Sequence, residues 1–259
     1  MFNCVMKGNR FVWNTQFDEA KKYLTPLVHI PRMAFELATI PALASNISGE
    51  TSMREEGMQG IENAEKALKK VSKKDDILKI VEEYKTLNKK LEEASEDYYT
   101  ESEKSHPNFL DLEKMTSEQI IYNFELDNDV LDGEAHLMRG ILQFHAGSYL
   151  KGLYNLRKAY IKFKDVYAAI EDTKNEPNTS AKFIHSDLIH CVYFGMGIFN
   201  FMLSILPPAL TKILSVLGFD ADREQGLSFL KKVHDYGGRQ VGNSSFMLCL
   251  NYLFIPRAL

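Results

Sequence analysis

The chain has 259 residues, is 45% hydrophobic and carries a net charge of −4 with a pI near 6.0. That length suits one large domain or two small ones, and the apolar share can fill a sizeable core. The slightly acidic balance excludes a general nucleic-acid binder, which needs a basic face.

From the N-terminus, "MFNCVMKGNRFVW" holds no apolar run of signal-peptide length, because Lys7 and Arg10 interrupt it. Phe17, Ala20, Leu24 and Leu27 then fall on one helical face. An apolar helix is predicted over Met33 to Ile47, ended by the breaker "NISGETS" at 46–52. Ile61, Ala64, Leu68 and Val71 form the next stripe. The variable, charged segment 72–106 is also helical, with Ile77, Ile80, Val81, Tyr84, Leu87 and Leu91 on one side and charges on the other. "SEKSHPN" at 102–108 breaks it. Two helices follow around His136 to Phe144 and around Tyr149, Gly152, Leu156 and Ala159, up to "DTKNEPNTS" at 172–180.

The stretch Phe194 to Phe219 is the most apolar part of the chain, with no Asp, Glu, Lys or Arg between Asp187 and Lys212. Pro207 and Pro208 bend it, so it reads as a buried hairpin. The charged group Asp220, Asp222, Arg223 and Glu224 caps the helix carrying Gly226, Leu230 and Val233. The uncharged run Ser244 to Pro256 reads as the first helix of a further, unfinished repeat over 244–259. β-type alternation is scarce, so the predicted fold class is all-α, built from antiparallel helix pairs in one domain, 1–259.

One spacing recurs. A small residue is followed four on by Leu and three further by an apolar residue, at Ala20/Leu24, Ala64/Leu68, Gly152/Leu156 and Gly226/Leu230. The third copy is the fullest, with Gly140 on a first helix, Gly147 at a turn, and Tyr149, Gly152 and Ala159 on a second helix. This resembles the tetratricopeptide pattern, with His136 at the early anchor position and Lys164 where a late Pro is expected. It implies a stacked α-solenoid. The segments "NRFVWNTQFDEAKKYLTP", "ELDNDVLDGEAHLMRGILQFHAGSYLKGLYNLRKAY" and "SDLIHCVYFGMGIFNFMLSILPPALTKILSVLGFDADREQGLSFL" together resemble, in order and spacing, the N-terminal part of the tetratricopeptide repeat protein 39 family, which includes the fungal inclusion-body clearance proteins. The resemblance implies a non-enzymatic helical scaffold linked to inclusion-body clearance, lipid handling and protein turnover.

No catalytic, cofactor or metal site is expected. Gly195 and Gly197 form G-x-G, but position 200 is Asn and the flanks are helical, so close helix contact replaces a dinucleotide loop. His185 and His190 lie about 140° apart on a helix, unlike an i, i+4 ligand pair. His136 and His145 meet a similar objection. Cys4, Cys191 and Cys249 are widely spaced and form no CxxC pair, which points to free thiols in a reducing compartment. The expected function is therefore an interaction scaffold with protein partners and no nucleic acid. Its binding face would come from the first helices, Met33 to Ile47 and His136 to Phe144. The alternative is a membrane-associated protein using 188–219, either as an anchor or in peripheral lipid contact. Self-association through the C-terminal tail is a further expectation, and the expected location is cytoplasmic, nuclear or peripheral to an organelle membrane.

Overall fold

The computed structural model describes residues 3–71, 73–173, 181–205, 212, 214–216, 218–219 and 222–253. Every regular element among them is a helix, and no strand occurs among them. The helices are α1 (Asn3–Trp13), α2 (Phe17–Leu24), α3 (Pro31–Ser48), α4 (Thr51–Lys70), α5 (Lys74–Glu93) and a single turn α6 (Glu101–Lys104). They continue with α7 (Ser117–His145), α8 (Tyr149–Thr173), α9 (Ser186–Ser204), α10 (Arg223–Tyr236) and α11 (Val241–Leu253).

Local chemistry sets the ends of these helices. Pro31 opens α3 at its first position, where its missing N–H costs nothing. Gly49, at φ +75°, closes α3 in the left-handed region and sends its N–H back to the Ser45 carbonyl. A capping box starts α7: Thr116 Oγ1 accepts from the Gln119 N–H, and Gln119 Oε1 accepts from the Thr116 N–H. This helix runs for 29 residues, well beyond the expected stretch His136 to Phe144: the cap at Thr116 starts it, and its buried face mixes apolar residues such as Ile120, Phe124 and Leu131 with buried polar ones such as Asn123 and Asp127. His185 caps α9 through Nδ1, and the Asp222 carboxylate caps α10 by accepting from the Gln225 N–H. Asp220 lies outside the described residues.

The helices pair as hairpins: α1/α2, α3/α4, α7/α8 and α9/α10. Helix α5 packs its stripe of Ile77, Ile80, Val81 and Tyr84 against α1 and α7, and α11 lies on α10. One core unites Cys4, Leu24, Met33, Tyr84 and Phe124; another unites Val130, Phe163, Val192, Phe199 and Phe229. A third, rich in alanine, joins Ala38, Ala42, Ile61 and Ala64 to Leu131.

Helix α9 is long and apolar enough to cross a membrane, but 83% of its apolar window is buried between its neighbours. Packing accounts for that apolarity. The bend expected at Pro207 and Pro208 lies outside the described residues.

Candidate functional site

The four recurring small residues all sit on the second helix of a hairpin: Ala20 on α2, Ala64 on α4, Gly152 on α8 and Gly226 on α10. All four are buried, as are Leu24, Leu230 and Ala159, while Leu68 and Leu156 are partly buried. Three of the four leucines face a glycine on the first helix. A Cβ on Gly8 would lie 3.0 Å from Leu24 Cδ2; on Gly140, 2.8 Å from Leu156 Cδ2; on Gly197, 3.1 Å from Leu230 Cγ. Gly8 precedes Ala20 by the same interval that separates Gly140 from Gly152. That interval is legible in the sequence and extends the repeat to the first helix. Gly147, at φ +73°, makes the α7/α8 turn. Phe17 and Tyr149 do not join the buried set: each opens its helix and stands 44% and 64% exposed, respectively.

The first helices meet in a groove of about 230 Å³. Phe35 and Leu43 come from α3, Leu137, Met138 and Ile141 from α7, Phe194 and Ile198 from α9, and Phe246 and Met247 from α11. Both first-helix stretches named from sequence contribute. A larger cleft of about 830 Å³ lies between α5 and residues 95–114. Its wall mixes charged, polar and apolar side chains, with ion pairs such as Lys104 with Asp97 at 2.5 Å and Lys114 with Asp111.

Beneath the groove lies a charge cluster that periodicity does not reveal. Arg32 on α3 donates to Asp127 Oδ1 on α7 at 3.0 Å and pairs closely with Glu134. Arg239, in the turn before α11, reaches Asp127 Oδ1 at 2.8 Å and Asp187 Oδ2 on α9 at 2.7 Å. Gln240 Nε2 donates to Glu134 Oε1 at 2.7 Å. All five charged groups are buried. Burial alone would raise the Asp127 carboxyl, but Arg239 and Arg32 outweigh it and hold it below the usual range. Asp187 is likewise held low against its burial, chiefly by Arg239. Glu36, one turn after Arg32, is also buried, and its carboxylate is 3.9 Å from Arg32 Nη1, beyond hydrogen-bonding distance. Burial pushes it up to about 7, more than Arg32 brings it down. The sequence signal for this cluster is faint: Arg32 and Glu36 interrupt an otherwise apolar helix, and Asp187 precedes the most apolar one.

The histidines separate. His185 is buried, and its Nδ1 accepts the Asp187 N–H. His190 bonds the Ser186 carbonyl and stacks on Tyr236 at 3.7 Å. His136 bonds Asn155 through Nδ1 and lies near Asp132 and Glu65, a trio whose donor atoms could converge on a metal ion. Arg139 already grips Glu65 with two bonds of 2.6 and 2.9 Å, and Lys162 lies 3.4 Å from Asp132. The trio is therefore neutralised by cations, which disfavour a further positive ion. Gly195 receives the Phe163 ring, where a Cβ would lie 2.2 Å from Cδ1. Burial raises the Cys4 thiol to about 12 and pushes the Cys191 thiol well up, so neither is a ready nucleophile.

A family profile described as Iml2/Tetratricopeptide repeat protein 39 matches residues 6–256. The chain is 28% identical over 149 residues to tetratricopeptide repeat protein ttc-39B of Caenorhabditis elegans, covering 55% of this chain and 24% of that one. It is 37% identical over 79 residues to inclusion body clearance protein IML2 of Scheffersomyces stipitis, covering 30% and 9%. A Schizosaccharomyces pombe protein matches at 26% over 178 residues, 62% of this chain and 29% of its own. The chain thus spans under a third of the length of these relatives. No solved structure matches it. With the profile covering nearly its whole length, and hairpins built on the expected small residues, the chain belongs to the Iml2/tetratricopeptide repeat protein 39 family.

Proposed function

We propose that the chain is a non-enzymatic scaffold whose hairpins stack as a tetratricopeptide-like solenoid and whose groove binds partner proteins. The observation that supports this most is the groove itself: apolar side chains from three successive first helices, α3, α7 and α9, converge on one open concavity. Convergent apolar walls with a few polar groups are the usual form of a binding site. Most of the buried charged groups near the groove are engaged in structure. Asp127, Asp187 and Glu134 hold guanidiniums, and His185 caps a helix. The name of the inclusion body clearance relatives supports a role for this binding in inclusion-body clearance, and the cytoplasm is the location proposed for it.

Affinity purification with mass spectrometry tests the reading. Ile141→Lys on the groove wall should lose the partners that the parent chain captures, and Ile161→Lys, on the exposed side of α8, should keep them. Equal partner sets for both variants would refute it. Point changes are the cleaner test, because deleting 188–219 would remove the core helix α9.

A further inference from the structure

We infer that the groove receives a basic side chain, arginine or lysine, carried on an apolar segment of a partner protein, and that Glu36 is the group that binds it. This rests on the groove being the partner-binding face.

The argument is one of charge balance. In the buried cluster two guanidiniums, Arg32 and Arg239, face four carboxylates: Glu36, Asp127, Glu134 and Asp187. His185 beside Asp187 adds no charge, because burial holds its imidazole neutral. With every acid ionised, two negative charges would lack a counterion. Three of the four acids are nonetheless satisfied: Asp127 by both arginines, Glu134 by Arg32 and Gln240, Asp187 by Arg239. Glu36 is the one of the four that carries an unmatched charge with no donor among the described residues. It is only 8% exposed, and no hydrogen bond to its carboxylate is found among the described residues. It also lines the groove, and Glu36 and Glu134 are the charged side chains among the described lining residues.

A buried carboxylate without a donor is unfavourable. A guanidinium or ammonium entering from the groove would supply both donor and charge. Phe35, Leu137 and Ile198 would cover its aliphatic stem and exclude water, which strengthens the pair. An acidic segment or an anionic headgroup would instead meet two carboxylates and no cation on the lining. A divalent ion would find one open carboxylate.

The test is selection of randomised phage-displayed peptides on the purified full chain at pH 8, followed by fluorescence anisotropy on a labelled winner. Selected peptides should share one arginine or lysine between large apolar residues. An arginine peptide should bind about tenfold or more weakly when its arginine is replaced by citrulline, the neutral isostere. Glu36→Gln should weaken the arginine peptide by the same factor and leave the citrulline peptide unchanged, with its far-ultraviolet spectrum as a check on folding. Selection of acidic or uncharged peptides, no selection of basic–apolar ones, or equally tight arginine-peptide binding by Glu36→Gln overturns the inference. Ile141→Lys separates the two readings. If it loses the selected peptides while Glu36→Gln keeps them, the groove binds partners and this inference alone fails. If it keeps them, both fail.

Discussion

At the scale of single residues, space and charge decide. A Cβ on Gly152 would lie 2.4 Å from the Phe144 ring and 3.1 Å from the Gly140 carbonyl. The ring can swing aside and the carbonyl cannot, so Gly152→Leu should destabilise the fold by about 1–3 kcal/mol. An unchanged melting temperature would disprove that contact. Glu36 offers a test of sign. Its folded-state value is about 7, against ~4.3 for an ordinary glutamate, so the folded chain holds a proton that the unfolded chain has lost across that window. The contribution of Glu36 to stability is complete below the lower value and declines as pH rises through the upper. The charged groups acting on it are Arg32 on α3, Glu134 and Asp127 on α7, and Arg239 before α11. Glu36→Gln carries no such titration, so its melting temperature should gain on the parent chain between pH 5 and pH 8. A gain that shrinks over that range would reverse the argument. Asp127 and Asp187, held low, act in the opposite sense and lose their contribution as pH falls below the carboxylate range.

At the scale of elements, hairpins close where two small residues let backbones touch. Between α9 and α10 the pair is Gly197 and Gly226. A Cβ on Gly226 would lie 2.6 Å from the Phe201 nitrogen and 3.0 Å from the Gly197 carbonyl. Both are backbone atoms, so the helices themselves would have to separate. Alanine is the better helix former by roughly 0.5–1 kcal/mol, yet Gly226→Ala should be a net loss of about 1–2 kcal/mol, since overpacking exceeds that gain. Urea denaturation of the two chains checks this, and a more stable variant would mean that α9 and α10 are not in close contact. The same logic accounts for the apolarity of α9: α8 and α10 flank it, and Phe163 fills the notch at Gly195.

At the scale of the molecule, the buried charges tie hairpins together. Arg32 links α3 to α7, and Arg239 links the turn before α11 to α7 and α9. Replacing a whole buried ion network by apolar groups can be neutral, whereas removing one partner leaves a stranded charge. Arg239→Met strands Asp187 and weakens the hold on Asp127, so it should cost about 3–5 kcal/mol and lower the melting temperature accordingly; a loss under 1 kcal/mol would mean that the network is not cooperative. The C-terminal helix is docked as well as exposed. Ser244, Met247 and Asn251 are buried on it, and Leu253 is 74% exposed. Phe254 lies outside the described residues. Removing 244–259 would therefore uncover Leu230 and Val233, so a point change isolates the outer face better. Leu253→Glu should reduce concentration-dependent self-association in sedimentation velocity while leaving the fold intact. Identical sedimentation of the two chains would remove the tail as a self-association surface.

What the sequence determines by itself is local. Helical period, breakers and small residues are statements about neighbours three and four positions apart, and they yield the all-helical class, the α7/α8 turn at Gly147 and the buried faces of α5 and α8. The family is a matter of resemblance over long segments, and the profile match over residues 6–256 shows it. The charge cluster is different in kind. Arg32, Asp127, Asp187 and Arg239 are far apart in the chain, and none of them shows in its own stretch which partners it meets. Only when α3, α7 and α9 pack does water leave them, and the low-dielectric interior turns scattered charges into one network. Whether that network balances, and that its unmatched carboxyl opens on a groove, depends on which helices touch; no periodicity along the chain encodes that.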